Sequence, residues 1–138
     1  MRPHPRRVAS KVTPASIKAK GRAGENQMVA YLRRWWPQAE RRRLAGIHDR
    51  GDIAGIPNTV IEVKSAAKLD LPGWLRELEK EQSNDGARYG CVAIKPKGTT
   101  NGADFYCVMR GAAFVELLGD ALGVSVADAN EEGLASDR

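Results

Sequence analysis

The chain has 138 residues, a formal net charge of +5, 42% hydrophobic and 28% charged residues, which is the size and balance of one globular domain with tails. Collagen, coiled-coil and disulfide-scaffold compositions are excluded, and there is no run of about 18 apolar residues that would cross a membrane. The N-terminal MRPHPRRVAS is basic but lacks the apolar segment of a signal peptide. Cys91 and Cys107 do not make a disulfide framework, so a reducing, cytoplasmic setting is expected.

The charge is divided unevenly. Residues 1–50 hold 13 of the 22 Lys+Arg and 3 of the 17 Asp+Glu, a local charge of +10, and the remainder carries −5. A basic block of this density that continues into patterned sequence points to a polyanion, most often nucleic acid.

In chain order, residues 1–17 carry three of the seven prolines and little apolar periodicity, and are expected to form a mobile basic arm. From about Ala19 to Trp36 the sequence predicts a helix. Met28, Leu32, Trp35 and Trp36 fall on one apolar stripe, Val29 widens it, and Pro37 ends it. A polar strand is expected over Glu40–Ala45, a loop over Gly46–Gly51 and a short strand over Asp52–Gly55. Thr59–Ser65 is the strongest strand pattern, and the gap from Gly55 to Thr59 is short enough for a hairpin. A helix over about Pro72–Arg88 has Trp74, Leu75 and Leu78 as its stripe. Strands at Gly90–Lys95 and Phe105–Met109 form a second hairpin, and Gly111–Leu118 suits a short helix. Beyond Gly119 the sequence is acidic and weakly patterned, so 120–138 is expected to be a flexible tail. The order α-β-β-β-α-β-β-α predicts an α/β or α+β fold with a mixed sheet flanked by helices.

The chemistry centres on Asp52 and on Glu62-Val63-Lys64. Alternation along a strand puts Glu62 and Lys64 on one face beside Val60, and Ile61 and Val63 on the other, toward the core. The preceding strand brings Asp52 next to Glu62. Two adjacent carboxylates repel unless a cation lies between them. A hard divalent ion such as Mg²⁺ takes oxygen ligands, polarises a phosphoryl oxygen and lowers the pKa of bound water. Lys64 would orient that water or offset charge building on phosphorus. Glu25, one helical turn before Met28 and Val29, should turn its carboxylate to the sheet. Taken alone, Glu-x-Lys on a strand is also met as a plain surface ion pair worth under about 1 kcal/mol.

Lys20-Gly21-Arg22-Ala23-Gly24-Glu25, Gly51-Asp52-Ile53 and Ile61-Glu62-Val63-Lys64-Ser65 together resemble the PD-(D/E)xK nuclease superfamily, and within it the Holliday junction resolvases of archaea and some phages. The resemblance covers about residues 18 to 110. It implies a restriction-endonuclease-like core in a single nuclease domain over 18–119. Asp52 and Glu62 would be metal ligands assisted by the Val63 carbonyl. Lys64 would be the catalytic lysine and Glu25 the additional acid, catalytic and metal-binding. The implied reaction is Mg²⁺-dependent hydrolysis of DNA leaving 5′-phosphates, with Mn²⁺ able to substitute. The implied agent is a homodimer making paired symmetric nicks in a four-way junction. Gly51 stands where the superfamily often has proline, and Asn26 where some relatives have arginine beside the helix acid. The alternatives are another nuclease of the superfamily, of repair, nicking or restriction type, and a non-catalytic DNA-binding module.

Arg41 and Arg43 would share a strand face and, with Lys20, Arg22 and Ser65, contact DNA phosphate. The arm, with Arg6, Arg7, Lys11 and Lys18, would make binding salt-dependent. Arg41–Arg43 also suits a charged edge strand. His48 is expected to be solvent-exposed, and Cys91 and Cys107 to be small buried hydrophobes. Trp35, Trp36 and Trp74 are expected in the core or a dimer interface rather than as base-stacking platforms.

Overall fold

The structure, a computed structural model, describes residues 14–42, 51–65 and 68–126. Its elements are α1 (Pro14–Leu32), β1 (Glu40–Arg41), β2 (Ile53–Ala54), β3 (Thr59–Lys64), α2 (Leu71–Asp85), β4 (Tyr89–Ile94), β5 (Tyr106–Val108) and α3 (Gly111–Leu122). The expected mixed sheet is divided. β1 and β2 form a two-stranded antiparallel sheet, and β3, β4 and β5 form a three-stranded mixed one. β3 and β4 are parallel, with Glu62 opposite Val92 and Lys64 opposite Ile94. β4 and β5 form the expected antiparallel pair.

Parallel neighbours need a crossover, and α2 supplies it. It starts at Asp70, whose side chain accepts from the Gly73 amide at 3.2 Å, and ends at Gly86 in the left-handed conformation. α1 lies on one face of β3, with Met28, Val29 and Leu32 packed on Ile61, Val63 and Ala93. α2 lies on the other, with Trp74 and Leu78 packed on Val60, Val92 and Ile94. β3 is thus covered on both sides, and the face that carries Glu62 meets a helix rather than water.

The described structure differs from the expected elements in several places. α1 begins at Pro14, inside the stretch assigned to the arm, because proline suits the first turn of a helix, where its missing N–H is not needed. The helix ends at Leu32, short of Trp36. The chain tightens there, with the amides of Arg34 and Trp35 donating three residues back to Tyr31 and Leu32, ahead of the restriction that Pro37 places on Trp36. Trp74 is in the core, whereas Trp35 and Trp36 are 57% and 40% exposed. The first strand pairs over two residues, extended by the Arg42 amide donating to the Asp52 carbonyl at 2.8 Å. β2 pairs with β1, and it meets β3 through the Asp52 amide donating to the Ile61 carbonyl at 3.1 Å, so no hairpin ladder joins β2 to β3. α3 runs on to Leu122, where Gly123 caps it in the left-handed conformation. Cys107 is exposed because β5 is an edge strand, while Cys91 is half-buried. Arg43 and His48 lie outside the described residues. No described helix is long and apolar enough to cross a membrane.

Candidate metal centre

Asp52 follows Gly51, whose φ of +93° is closed to proline and strained for any side chain; a Cβ there would lie 2.7 Å from Val60 Cγ1. Glycine therefore brings the chain directly over β3. Asp52 Oδ2 accepts the Val63 amide at 2.7 Å, which fixes its carboxylate beside Glu62. Gly24 does the same for α1, since a Cβ there would meet Val63 Cγ1 at 3.3 Å. The helix rests against β3 at that point and delivers Glu25 near Asp52.

The sequence-predicted residues Asp52, Glu62 and Lys64 are brought together. Lys64 Nζ lies 3.3 Å from Glu62 Oε1. Glu25 is close enough for its charge to act on Asp52, but its Oε2 is engaged by Arg41 Nε at 2.7 Å. Arg41, expected to meet DNA, is thus ion-paired within the chain while remaining exposed. Arg22 is exposed and Ser65 half-buried at the end of β3. Lys20 lies in the α1 backbone. Val63 sits between Glu62 and Lys64 with its amide on Asp52.

Two further acids come from α2. Glu77 Oε2 lies 3.0 Å from Lys64 Nζ, and Glu81 is 2% exposed, beside the 4% exposed Glu62. One carboxylate oxygen from each of Glu62, Glu77 and Glu81 falls within 4.8 Å of the others. A Cβ on Gly51 would lie 3.6 Å from Glu81 Oε2, so the loop before Asp52 closes over the same acids. The signal for these residues was present in the helix period. Glu77 and Glu81 are four apart on one face, and Glu81 stands seven after Trp74 and three after Leu78, an acid set into an apolar stripe. Gln82, the other polar candidate on this helix, lies instead against Gly90 and donates to the Arg88 carbonyl at 3.3 Å.

The electrostatics follow from this crowding. Burial raises the Asp52 carboxyl to about 6, with Glu25 adding to the rise and the Val63 amide and Lys64 opposing it. Burial also drives Glu62 far above the carboxylate range, helped by the adjacent Glu81 carboxyl and by repulsion from Asp52. For Lys64, burial favours the neutral amine, but Glu77 and Glu62 outweigh it and hold the ammonium charged. Its Nζ also lies 5.9 Å from the Trp74 ring centroid.

Fully ionised, Asp52, Glu62, Glu77 and Glu81 against Lys64 would leave a net −3 in a largely buried space, which protons or a cation must offset. Glu62 Oε2 is buried and makes no hydrogen bond with the described residues. Carboxylate oxygens at these separations could hold a hard divalent ion. No protein-family model, curated protein or solved structure matches the chain.

Proposed function

We propose that the chain is a Mg²⁺-dependent DNA endonuclease of the PD-(D/E)xK type with a restriction-endonuclease-like core, and that its substrate is a branched duplex such as a four-way junction. The observation that carries this reading is the packing of Glu62 and Glu77 against the Lys64 ammonium, with Glu81 beside them and the Asp52 and Glu62 carboxyls held above their ordinary range by burial. Groups perturbed by desolvation together with a specific charge partner cluster at functional sites. The basic first 50 residues supply the polyanion affinity.

Mg²⁺, with Mn²⁺ as substitute, would be held by Asp52 and Glu62 with the Val63 carbonyl, and Glu77 and Glu81 extend the donor set. The ion supplies polarisation of the phosphoryl oxygen and a more acidic bound water. The chain's own residues do the rest. Asp52, with Oδ2 committed to the Val63 amide, presents its other oxygen. Lys64, steered by Glu77, holds a positive Nζ where a phosphodiester oxygen gathers charge. Glu25 and Arg41 form an exposed ion pair; a phosphate bound by Arg41 would release the Glu25 carboxylate, which would then be a further group able to hold the ion. Exposed Arg22, with Lys20, Arg43 and Ser65, would hold the backbone on either side.

The proposed homodimer is supported by α3. Its charged residues Glu116 and Asp120 turn inward to Arg88, at 3.1 and 3.0 Å. Phe114, Val115, Leu118 and Leu122 face outward, and Leu122 is 70% exposed. This inverts the usual amphipathicity of a surface helix. An outward apolar stripe of this kind marks an interaction surface, and a second copy of the chain presents the same stripe to cover it. Two-fold symmetry suits a substrate with two equivalent cuts.

End-labelled four-way junction and matched linear duplex, offered in Mg²⁺ and in EDTA with Glu62→Gln in parallel, test the proposal. Paired nicks in the junction, lost in EDTA and in the variant, are expected. Equal cutting of the duplex removes the junction preference, and cation-independent cutting or a fully active Glu62→Gln overturns the site.

A further inference from the structure

The side of α1 beyond Glu25 carries a second feature that the acidic centre does not use. A recess of about 430 Å³ lies between α1 and residues 100–101, lined by Asn26, Gln27, Tyr31, Arg34 and Asn101 among others, with no acidic residue in its wall. Its size is that of a pocket for one small organic ligand. The 3-10 turn at Gly102–Asp104 holds the far wall in place. Gly102 is pressed against α1, where a Cβ would meet Tyr31 Cβ at 2.9 Å, and Asn101 Oδ1 accepts the Ala103 amide at 3.0 Å. The recess is therefore shaped by packed elements on both sides.

Its chemistry is specific. Tyr31 meets Trp35 edge-on at 5.1 Å between centroids, and Trp35 meets Trp36 at 6.5 Å. The exposed indoles of Trp35 and Trp36 continue from the tyrosine beside the recess as an edge-to-face aromatic cluster outside the core. The Arg34 guanidinium stands 5.8 Å from the Tyr31 ring centroid, a fixed cation at the rim. Three carboxamides, from Asn26, Gln27 and Asn101, line the wall. The buried Gln27 Oε1 makes no hydrogen bond with the described residues, and Asn101, with Oδ1 committed to its turn, retains an amide donor. An aromatic face, amides able to meet a base edge and an arginine for phosphate are the elements that bind unstacked nucleotides. A paired base inside a duplex offers no free ring face, and a peptide would not need all three.

We propose that this recess binds one unpaired nucleotide, its base stacked on the exposed Trp35 indole at the edge of Tyr31 and its phosphate on Arg34. The choice of DNA as the polymer rests on the nuclease proposal above. Asn26 directly follows Glu25, and Tyr31 lies six residues on, about 9 Å along the helix axis. A strand passing Glu25 would cover that distance in one or two nucleotides. The recess would thereby select DNA in which bases near the cut are splayed out, as at a branch point, over continuous duplex.

The test is fluorescence anisotropy of a labelled thymidine tetranucleotide and a labelled blunt duplex with the full chain in EDTA, where hydrolysis plays no part. Trp35→Ala and Arg34→Ala both lie on the surface and leave the core intact. Each is expected to weaken tetranucleotide binding roughly tenfold, the loss typical of one stacking contact, and to leave duplex binding within about twofold. Unchanged tetranucleotide binding in both variants overturns the site, as does an equal loss on both ligands. Since binding is read without a cation, failure here is distinct from failure of cleavage. A chain that cuts DNA yet shows no effect of Trp35→Ala on the tetranucleotide keeps the nuclease and loses the recess.

Discussion

Asp52 and Val63 are joined by a carboxylate-to-amide hydrogen bond of 2.7 Å that crosses from the loop before β2 to the centre of β3. One oxygen of Asp52 is thus structural and the other is left for a ligand. Asp52→Asn keeps an acceptor for the amide and should fold with little loss. Asp52→Ala leaves a largely buried N–H without a partner and should cost about 1–3 kcal/mol. Urea unfolding of the two variants checks this, and calorimetric titration with Mn²⁺ should show binding weakened in both.

The raised carboxyls set a pH dependence. Asp52 in the folded chain titrates near 6 and Glu62 higher still, so the native state holds protons that the unfolded chain has already released. Their contribution to stability is complete below about pH 4, the unfolded carboxylate range. It falls as pH rises through 6 for Asp52, and continues to fall toward neutral pH for Glu62. Metal-free protein is expected to lose stability from pH 4 to pH 8, and Mg²⁺ to restore more at pH 8 than at pH 5. Glu62→Gln should flatten the slope. Denaturant midpoints measured across that range, with and without Mg²⁺, decide it.

Glu81 and Glu77 divide the work of α2. Glu81 is buried against Glu62, so Glu81→Gln should stabilise the metal-free chain by about 1 kcal/mol or more while weakening Mn²⁺ binding. Glu77 is more exposed and holds Lys64. Glu77→Gln should leave stability near wild type and lower the cleavage rate about tenfold through a less well placed ammonium. Thermal unfolding beside single-turnover cleavage separates the two effects.

Loss of the site acid itself should be far larger. Glu62→Gln is expected to reduce cleavage roughly 10³-fold, with junction affinity in EDTA unchanged within a few-fold. Gel-based cleavage and anisotropy on one preparation give both numbers.

On α3, Leu118→Glu would set a charge in the outward apolar stripe without touching the Arg88 cluster on the inner side. Sedimentation velocity should show a dimer in the parent chain and a monomer in the variant. Thermal unfolding of the monomer should remain cooperative, because the stripe makes no part of either core cluster.

Much of this architecture was legible before any coordinates. The β-branched run from Thr59 to Lys64, the Trp74–Leu78 stripe of α2 and the Cys91–Ile94 strand all carry local signals, and each forms where its pattern lies, although α2 stops at Asp85, short of the expected Arg88. Asp52 beside Glu62 followed from strand alternation and a short connection. What stayed hidden depends on tertiary partners. Trp35 and Trp36 have the period of core residues, yet the helix tightens before them and turns them outward. Nothing local tells whether the Glu62 face of β3 is covered. Once α2 covers it, Glu77 and Glu81 become part of the centre. The division into two sheets rests on β2 choosing β1 over β3, a choice made by the conformation at Gly51 and Gly55 rather than by strand propensity.

The parallel pairing of β3 with β4 also has a consequence in time. Glu62, Lys64, Glu77 and Glu81 all belong to the continuous stretch 59–94, so a nascent chain cannot gather them until β4 has emerged and closed the crossover. Closing that loop costs entropy before any strand contact repays it. The mutual repulsion of the acids falls on the same event. β3–α2–β4 is therefore expected to be the late, rate-limiting unit of refolding, and divalent cation or mild acid to speed it, because either removes the charge that the transition state must bring together.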